Sequence, residues 1–295
     1  MKKIILLLIL LLTTISFTNF VFAQPQITFM TYNIGDWAKD LRSDIFIKDY
    51  PANERMERLS NIIIDNNVDV VGLQEVRSQN IYNLLLNKLN SKGYPMHGIY
   101  SGENISDHIG KAILSKYPLE DYSIHDSQRD NDYVPIGKIQ SARIIFNNLP
   151  IRIFNVHLNF CGTSQNSNDK LIELSLEKKQ TENLILLGDF NTRKKRNSDG
   201  SIDLEACLPK LLKFTTDSCI PHKTDLSCWT TVDYTVRTDL PDEPAGVDHI
   251  LYEKNSGWYP EESYYISPEI THAPFNNQFF TISDHLPIIS KLSLN

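Results

Sequence analysis

Asn183 to Asn191 reads NLILLGDFN, an apolar run that meets a glycine and then sets a carboxylate and an amide almost side by side. Leu184–Leu187 predicts a buried strand, because a short continuous apolar run bounded by a turn signal suits a strand covered on both faces. Gly188 permits a free backbone bend, so Asp189 and Asn191 are expected to project from the strand's end. An acceptor able to hold a water or a metal then stands beside a donor able to grip an oxyanion, the pairing a phosphate ester site uses. Gly-Asp and Phe-Asn are also ordinary turn chemistry, so the rest of the chain has to decide between a turn and a site.

Outward from this stretch, strands and helices alternate. Ile27–Ile34 predicts a strand, and Asn53–Asn67 an amphipathic helix with Met56, Leu59, Ile62 and Ile63 on one face. Val68–Leu73 predicts a buried strand ending at Gln74 and Glu75, Asn80–Leu89 a second helix, and Lys111–Ser115 a short strand stopped by Tyr117 and Pro118. Ile139–Phe146 and Ile151–Leu158 read as adjacent antiparallel strands joined through Asn147, Asn148, Leu149 and Pro150. A helix near Lys170–Lys179 leads into the GDFN strand, and Val247–Tyr252 and Ile288–Leu292 are late strands. With no repeat, low-complexity linker or Pro/Gly-rich break, residues 24–295 are expected to form one α/β domain.

Residues 1–23 read as an export signal. Lys2 and Lys3 precede an uncharged run from Ile4 to Leu12, and Val21, Phe22 and Ala23 suit signal peptidase, so the mature protein is expected to begin at Gln24 and to be secreted or periplasmic. An uncleaved anchor is the alternative, because Ile4–Phe22 is nearly long enough to span a bilayer, although Thr13, Thr14, Ser16 and Asn19 weaken its apolar character. Losing Lys2 and Lys3 takes the net charge from -7 to -9, which argues mildly against tight non-specific nucleic acid binding and leaves room for transient binding by a nuclease. The one basic run, Arg193 to Arg196, follows GDFN directly and is either a solvated loop or an electrostatic funnel for an anionic substrate. Cys161, Cys207, Cys219 and Cys228 suit an exported chain; they form no CxxC pair, which disfavours zinc, and one bridge among the last three is expected because they share a loop-rich region.

Six polar clusters lie at strand ends or just beyond them: Asn33 in MTYNI, Glu75 in VVGLQEV, His157 in FNVHL, Asp189 and Asn191 in GDFN, Asp248 in GVDHIL, and Asp284 with His285 in ISDHLPI. In this order and with these residue types, they resemble the exonuclease/endonuclease/phosphatase superfamily of metal-dependent phosphoesterases. Glu54–Val76 is similar to the family's helix followed by DVVGLQEV, and Ala112–Leu119, AILSKYPL, to its strand ending in a serine, a basic residue and a proline. The resemblance covers Thr28 to Ser290.

That resemblance implies a four-layer α/β/β/α sandwich, two mixed sheets packed face to face between helices, with the site where strand ends of both sheets converge. It implies that Glu75, Asn33 and Asp284 serve a Mg²⁺ ion, with Mn²⁺ or Ca²⁺ as substitutes, since a hard cation takes carboxylate oxygen. Asn191, His157 and His285 would contact the phosphate, Asp248 would fix the His285 tautomer, and Asp189 or His285 would take the proton of the attacking water. Two departures bear on the substrate: His249 stands where the family usually carries a tyrosine, and Asn155-Val156 precede His157 where a threonine is common.

Leu226–Tyr252 looks like the late loop of neutral sphingomyelinases, and Asn255–Ile266, with Trp258, Tyr259, Tyr264 and Tyr265, is expected to form either a membrane-seeking aromatic hairpin or an edge hairpin with packed aromatics. The leading expectation is a secreted, monomeric Mg²⁺-dependent phosphodiesterase that meets a phospholipid membrane surface and cleaves a headgroup, as in sphingomyelin. A deoxyribonuclease-like endonuclease acting on nucleic acid is second and a phosphomonoesterase third. A non-catalytic binding protein on the same fold is the alternative of another class.

Overall fold

The computed structural model describes residues 24–35, 52–102, 110–125, 138–158, 165–196, 202–204, 208–218, 245–266, 272–275, 278–281, 283 and 285–294. The export signal, the four cysteines, Asp284 and most of the 226–252 loop lie outside these residues.

One sheet of six strands carries Gln26–Asn33 (β1), Val70–Val76 (β2), His97–Ser101 (β3), Gly110–Ser115 (β4), Trp258–Tyr265 (β12) and Ile288–Leu294 (β15), in the order β12-β15-β1-β2-β4-β3. The other, of seven, carries Glu120–His125 (β5), Ile139–Phe146 (β6), Leu149–His157 (β7), Asn183–Arg196 (β8), Thr215–Asp217 (β10) and Ala245–Glu253 (β11) in the order β10-β11-β8-β7-β6-β5, with Ile202–Leu204 (β9) on β8. A separate pair joins His272–Phe275 (β13) to Gln278–Thr281 (β14). Each large sheet has one parallel pair, β1 with β2 and β7 with β8, and is otherwise antiparallel. Each parallel pair spans a helical crossover, as parallel neighbours require: Ala52–Asp65 (α1) for the first and Gln165–Lys178 (α3) for the second.

Strand alternation sorts the core into three clusters. Met30, Tyr32, Val71, Leu73, Ala112 and Leu114 face α1 and Gln79–Ser91 (α2). Ile27, Phe29, Val70, Ile113, Ile153, Ile185, Leu187 and Ile250 meet between the sheets. Phe154, Val156, Leu184, Leu186 and Phe190 pack with Leu171 and Leu174 of α3. This is the expected four-layer sandwich. The two sheets approach closely at Gly72, where a Cβ would lie 1.8 Å from Leu187 Cδ1 and 3.0 Å from Asn155 Oδ1.

Three local expectations are corrected. The GDFN strand does not stop at Gly188: β8 runs on to Arg196, and pairing with β9 and β11 holds the extension of backbone through the basic run. The β6–β7 turn is two residues long, with Asn147 and Asn148 at φ of 49° and 64°, both in the left-handed region that a tight hairpin turn with two positive φ angles demands. The aromatic segment after β11 is no projecting hairpin. It is β12, paired with β15, and Trp258 is 5% exposed with its ring centroid 6.2 Å from that of Phe146. The chain crosses from one sheet to the other there, so Trp258 serves the core.

Candidate active site

The alternation that fills the inter-sheet core also builds the site. On β1, Phe29 lies in that core, Thr31 follows two residues on, and Asn33 two further; on β7 the same steps run Ile153, Asn155, His157; on β8, Ile185, Leu187, Asp189; on β11, running the other way, Tyr252, Ile250, Asp248. Polar side chains therefore sit one step beyond the last apolar ones, all at one end of the sandwich.

Between apolar core and site lies a layer of buried amides. Gln74 Nε2 donates to Asn155 Oδ1 at 2.7 Å and to Thr31 Oγ1 at 3.1 Å. Asn155 Nδ2 donates to Gln140 Oε1 at 2.9 Å and to the carbonyls of Ala112 and Leu73 at 2.9 and 3.1 Å. The bonds from Gln74 to Asn155 and from Asn155 to the Ala112 and Leu73 carbonyls cross from one sheet to the other and fix their spacing beneath the reacting groups. Asn155, the departure at the usual threonine position, is the hub of this layer.

Glu75 reaches the site by a detour. The alternation that sends Val71 and Leu73 toward the helices would send Glu75 with them. The β2–β4 register instead shifts between Leu73, paired with Ala112, and Val76, paired with Gly110, so that Gln74 and Glu75 together face Lys111. Glu75 takes φ of 56°, and its carboxylate turns into the site. Asn33 Nδ2 donates to Glu75 Oε1 at 2.9 Å and to Asp189 Oδ2 at 3.1 Å, joining carboxylates from the two sheets. Asn33 thus meets the acids through its amide nitrogen, whereas its Oδ1 accepts from Gly35 N at 3.0 Å. Asn33 so bridges Glu75 and Asp189.

His157 and His285 aim Nε2 at the same oxygen, Asp189 Oδ2, from 3.6 and 3.8 Å. Both distances exceed a hydrogen bond and leave the imidazoles facing a shared space beside the carboxylate. His285 Nδ1 lies 2.9 Å from Asp248 Oδ2; a carboxylate accepts, so Nδ1 carries the hydrogen and the tautomer is set as expected. Ser283 Oγ donates to Asn33 O at 2.6 Å and accepts from His285 N at 3.1 Å, tying the last segment to β1.

Burial dominates the electrostatics. It pushes the Asp189 carboxyl pKa up, against the pull of His157, with Asp248 adding to the rise. Burial likewise lowers His157 to about 4, so this imidazole is neutral at neutral pH and offers an N–H hydrogen bond rather than a charge. Asn191, at φ of 46°, donates its backbone N–H to Asp189 Oδ1 at 2.8 Å and its amide to Leu158 O at 2.6 Å, leaving one amide hydrogen for a ligand.

Asp189, Asp248 and His285 each place a ligand atom within 4.8 Å of the other two, a group that could hold a metal ion. The expected ligand Glu75 stands across Asn33 from Asp189, so two overlapping donor sets exist. Oxygen donors from Glu75 and Asp189 suit a hard divalent cation, whereas His285 Nδ1 is already committed to Asp248. Among the described residues Asp248 Oδ1 is buried without a hydrogen-bond partner, another oxygen that a cation would satisfy.

Lys111 is a site residue that the motifs did not reveal. It is 3% exposed, faces the Glu75 bulge, and is the one charged residue of its strand, the signal that could have disclosed it. His249, the other departure, points to the far side of its sheet, where Nδ1 lies 2.9 Å from Asp217 Oδ2 and both residues are fully buried. It belongs to the core. The side chains of Arg193–Arg196 lie outside the described residues, as does Asp284.

Comparison with known proteins agrees with this geometry. The family model described as endonuclease/exonuclease/phosphatase family matches residues 42–285. No curated protein matches the chain. Among solved structures, an endonuclease/exonuclease/phosphatase family protein from Leptotrichia buccalis C-1013-b is 19% identical at a TM-score of 0.67, over 91% of this chain and 100% of that one. An endonuclease/exonuclease/phosphatase from Bacteroides vulgatus is 18% identical at 0.65, over 92% and 99%. D. rerio TDP2 complexed with single strand DNA product is 14% identical at 0.60, over 91% and 99%. At these identities the structures speak for the fold, and the family model, spanning most of the chain, speaks for descent: the chain belongs to the endonuclease/exonuclease/phosphatase family.

Proposed function

We propose that the chain is a divalent-metal-dependent phosphodiesterase that cleaves by in-line attack of water. The observation that carries this reading is the convergence of two imidazole Nε2 atoms on Asp189 Oδ2, with Asn33 tying that carboxylate to Glu75 and Asp248 fixing one imidazole. The raised pKa makes the Asp189 carboxylate a better proton acceptor than an exposed one, which suits it to orient and deprotonate the attacking water. His285, held through Nδ1, presents Nε2 to the same space and is the alternative acceptor. His157 and the remaining Asn191 amide hydrogen donate to phosphoryl oxygens as negative charge grows there. Glu75, with Asp189 beside it, would hold a hard divalent ion, Mg²⁺ before Mn²⁺ or Ca²⁺, which when bound neutralises phosphoryl charge and eases loss of the water proton. Asp284 belongs to the same proposal through its place beside His285.

Substrate follows less directly. A phospholipid headgroup as substrate rested on the aromatic segment and on the 226–252 loop; with Trp258 in the core, the loop alone supports it. A nucleic acid phosphodiester is favoured by the neighbour described with a single strand DNA product. Purified protein with Mg²⁺, tested with and without chelator, should cleave bis(p-nitrophenyl) phosphate, and plasmid DNA and sphingomyelin vesicles should separate the two substrates. Hydrolysis that persists at full rate in chelator, or no hydrolysis of any of the three, would sink the proposal. Export and a single-domain monomer complete it: the protein recovered outside the cytoplasm should begin at Gln24 by mass spectrometry.

A further inference from the structure

Lys111 lies on β4 two residues before Ile113, on the face turned between the sheets, directly across from the Gln74–Glu75 bulge. It is almost wholly buried. Among the described residues no carboxylate comes within ion-pair distance of its ammonium group. Burying a lysine charge without a contacting acid is costly, and a methionine would fill the same strand position without that cost. Burial, together with the charge of Lys138, lowers its pKa to about 8 against the pull of Glu75, so it remains protonated at neutral pH. Its charge also helps to lower the His157 pKa.

Charge bookkeeping gives this cation a purpose. Glu75, Asp189 and Asp248 bring three carboxylates to one pocket, and a single divalent ion leaves that pocket negative. A phosphodiester anion entering it would then meet repulsion. One further positive charge removes the deficit, and Lys111 stands opposite Glu75 to supply it.

We propose that Lys111 is a substrate-binding residue of this chain, whose ammonium group holds a non-bridging oxygen of the scissile phosphate; this rests on the phosphodiesterase reading of the same site. Lys111→Met, Lys111→Gln and Lys111→Arg test it, with three measurements on each protein: calorimetric binding of inorganic phosphate in saturating Mg²⁺, Mg²⁺ affinity alone, and kcat/KM on bis(p-nitrophenyl) phosphate. A charge-assisted hydrogen bond predicts a loss of phosphate affinity of roughly tenfold to hundredfold in the Met and Gln proteins, a parallel fall in kcat/KM, and retention of most binding in the Arg protein. Thermal unfolding should show the Met protein as stable as wild type or more so, because a buried charge has gone. Phosphate affinity unchanged in the Met or Gln protein overturns the proposal, as does a change confined to Mg²⁺ affinity. The two readings fail separately. Wild type that binds phosphate through Lys111 yet cleaves nothing removes the phosphodiesterase reading, whereas wild type that cleaves, with the Met and Gln proteins equal to it, removes Lys111.

Discussion

Gly188→Ala should damage stability and catalysis together, and the structure sets the size of both effects. Gly188 has φ of 145°, a conformation that L side chains rarely adopt, and a Cβ added there would lie 2.0 Å from the Val156 carbonyl oxygen and 2.8 Å from its carbon. Val156 is its partner on β7, so the clash falls inside the parallel ladder. Relief requires the two strands to part by about 1 Å, with backbone strain of about 1–3 kcal/mol and a similar packing penalty, for a total of roughly 2–6 kcal/mol. The next pair along that ladder is His157 with Asp189, so the strand displacement falls on two groups that must share one substrate. A misplacement of about 1 Å predicts a rate loss of about 10²-fold in the folded protein. Urea unfolding gives the first quantity and bis(p-nitrophenyl) phosphate hydrolysis under folding conditions the second. Gly93→Ala is the control, since Gly93 has φ of 74° with nothing within 4 Å of its added Cβ and should cost only about 1 kcal/mol with activity intact. A Gly188→Ala protein as stable and active as wild type would refute the reasoning.

Asp248→Asn should lower kcat by about 10²–10⁴ with an unchanged circular dichroism spectrum, because His285 loses the carboxylate that sets its tautomer; a loss under threefold would count against the dyad. Arg152 is fully buried, bonded twice to Glu182 at 2.6 and 2.9 Å and also to Asp121, so Arg152→Met should cost about 3–5 kcal/mol in chemical unfolding. Its distance along β7 from His157 predicts normal activity per folded molecule. His157 titrates near 4 in the fold against 6.5 unfolded, so the unfolded chain binds the extra proton between those values. Stability contributed by neutral His157 is therefore full above pH 6.5 and lost as pH falls toward 4, by about 3 kcal/mol at most, and His157→Gln should flatten that slope. An identical slope in both proteins would contradict it. The raised Asp189 works in the opposite sense, losing stability as pH rises through its folded value, which makes the paired comparison necessary.

Asp189 and Asp248 were legible in the sequence because each sits two residues beyond an apolar residue of the same strand face, and Asn33 and His157 because each lies four residues beyond one, Phe29 and Ile153, where periodicity and residue type agree. Glu75 was singled out by motif alone, for periodicity could not place it: only the bulge and a positive φ bring it in. Gln74 and Gln140 left no signal of their own, and Asn155 stood out only as a departure from the usual threonine; their meaning lies in bonds between strands far apart in the chain. Lys111 escaped because one lysine in a short strand ordinarily points to solvent, and only cross-strand register places it opposite Glu75. Trp258 misled because an aromatic cluster after a polar loop looks the same whether it seeks a membrane or a neighbouring sheet. Gly188 misled in the other direction: it accommodates close backbone contact within a continuous strand, and that requirement mimics a turn.

The shared parity of core and site makes frame changes in the inner strands unforgiving. Deleting one residue in β7 between Ile151 and His157 would present Phe154 and Val156 to the opposite sheet and turn His157 toward α3, so chemistry and folding would fail in one step. Substitutions can adjust these strands, while insertions and deletions are confined to the connections between them. The extra residue in β2 is the exception: there the slip is absorbed locally by the bulge, and the residue it displaces is the carboxylate on which the site depends.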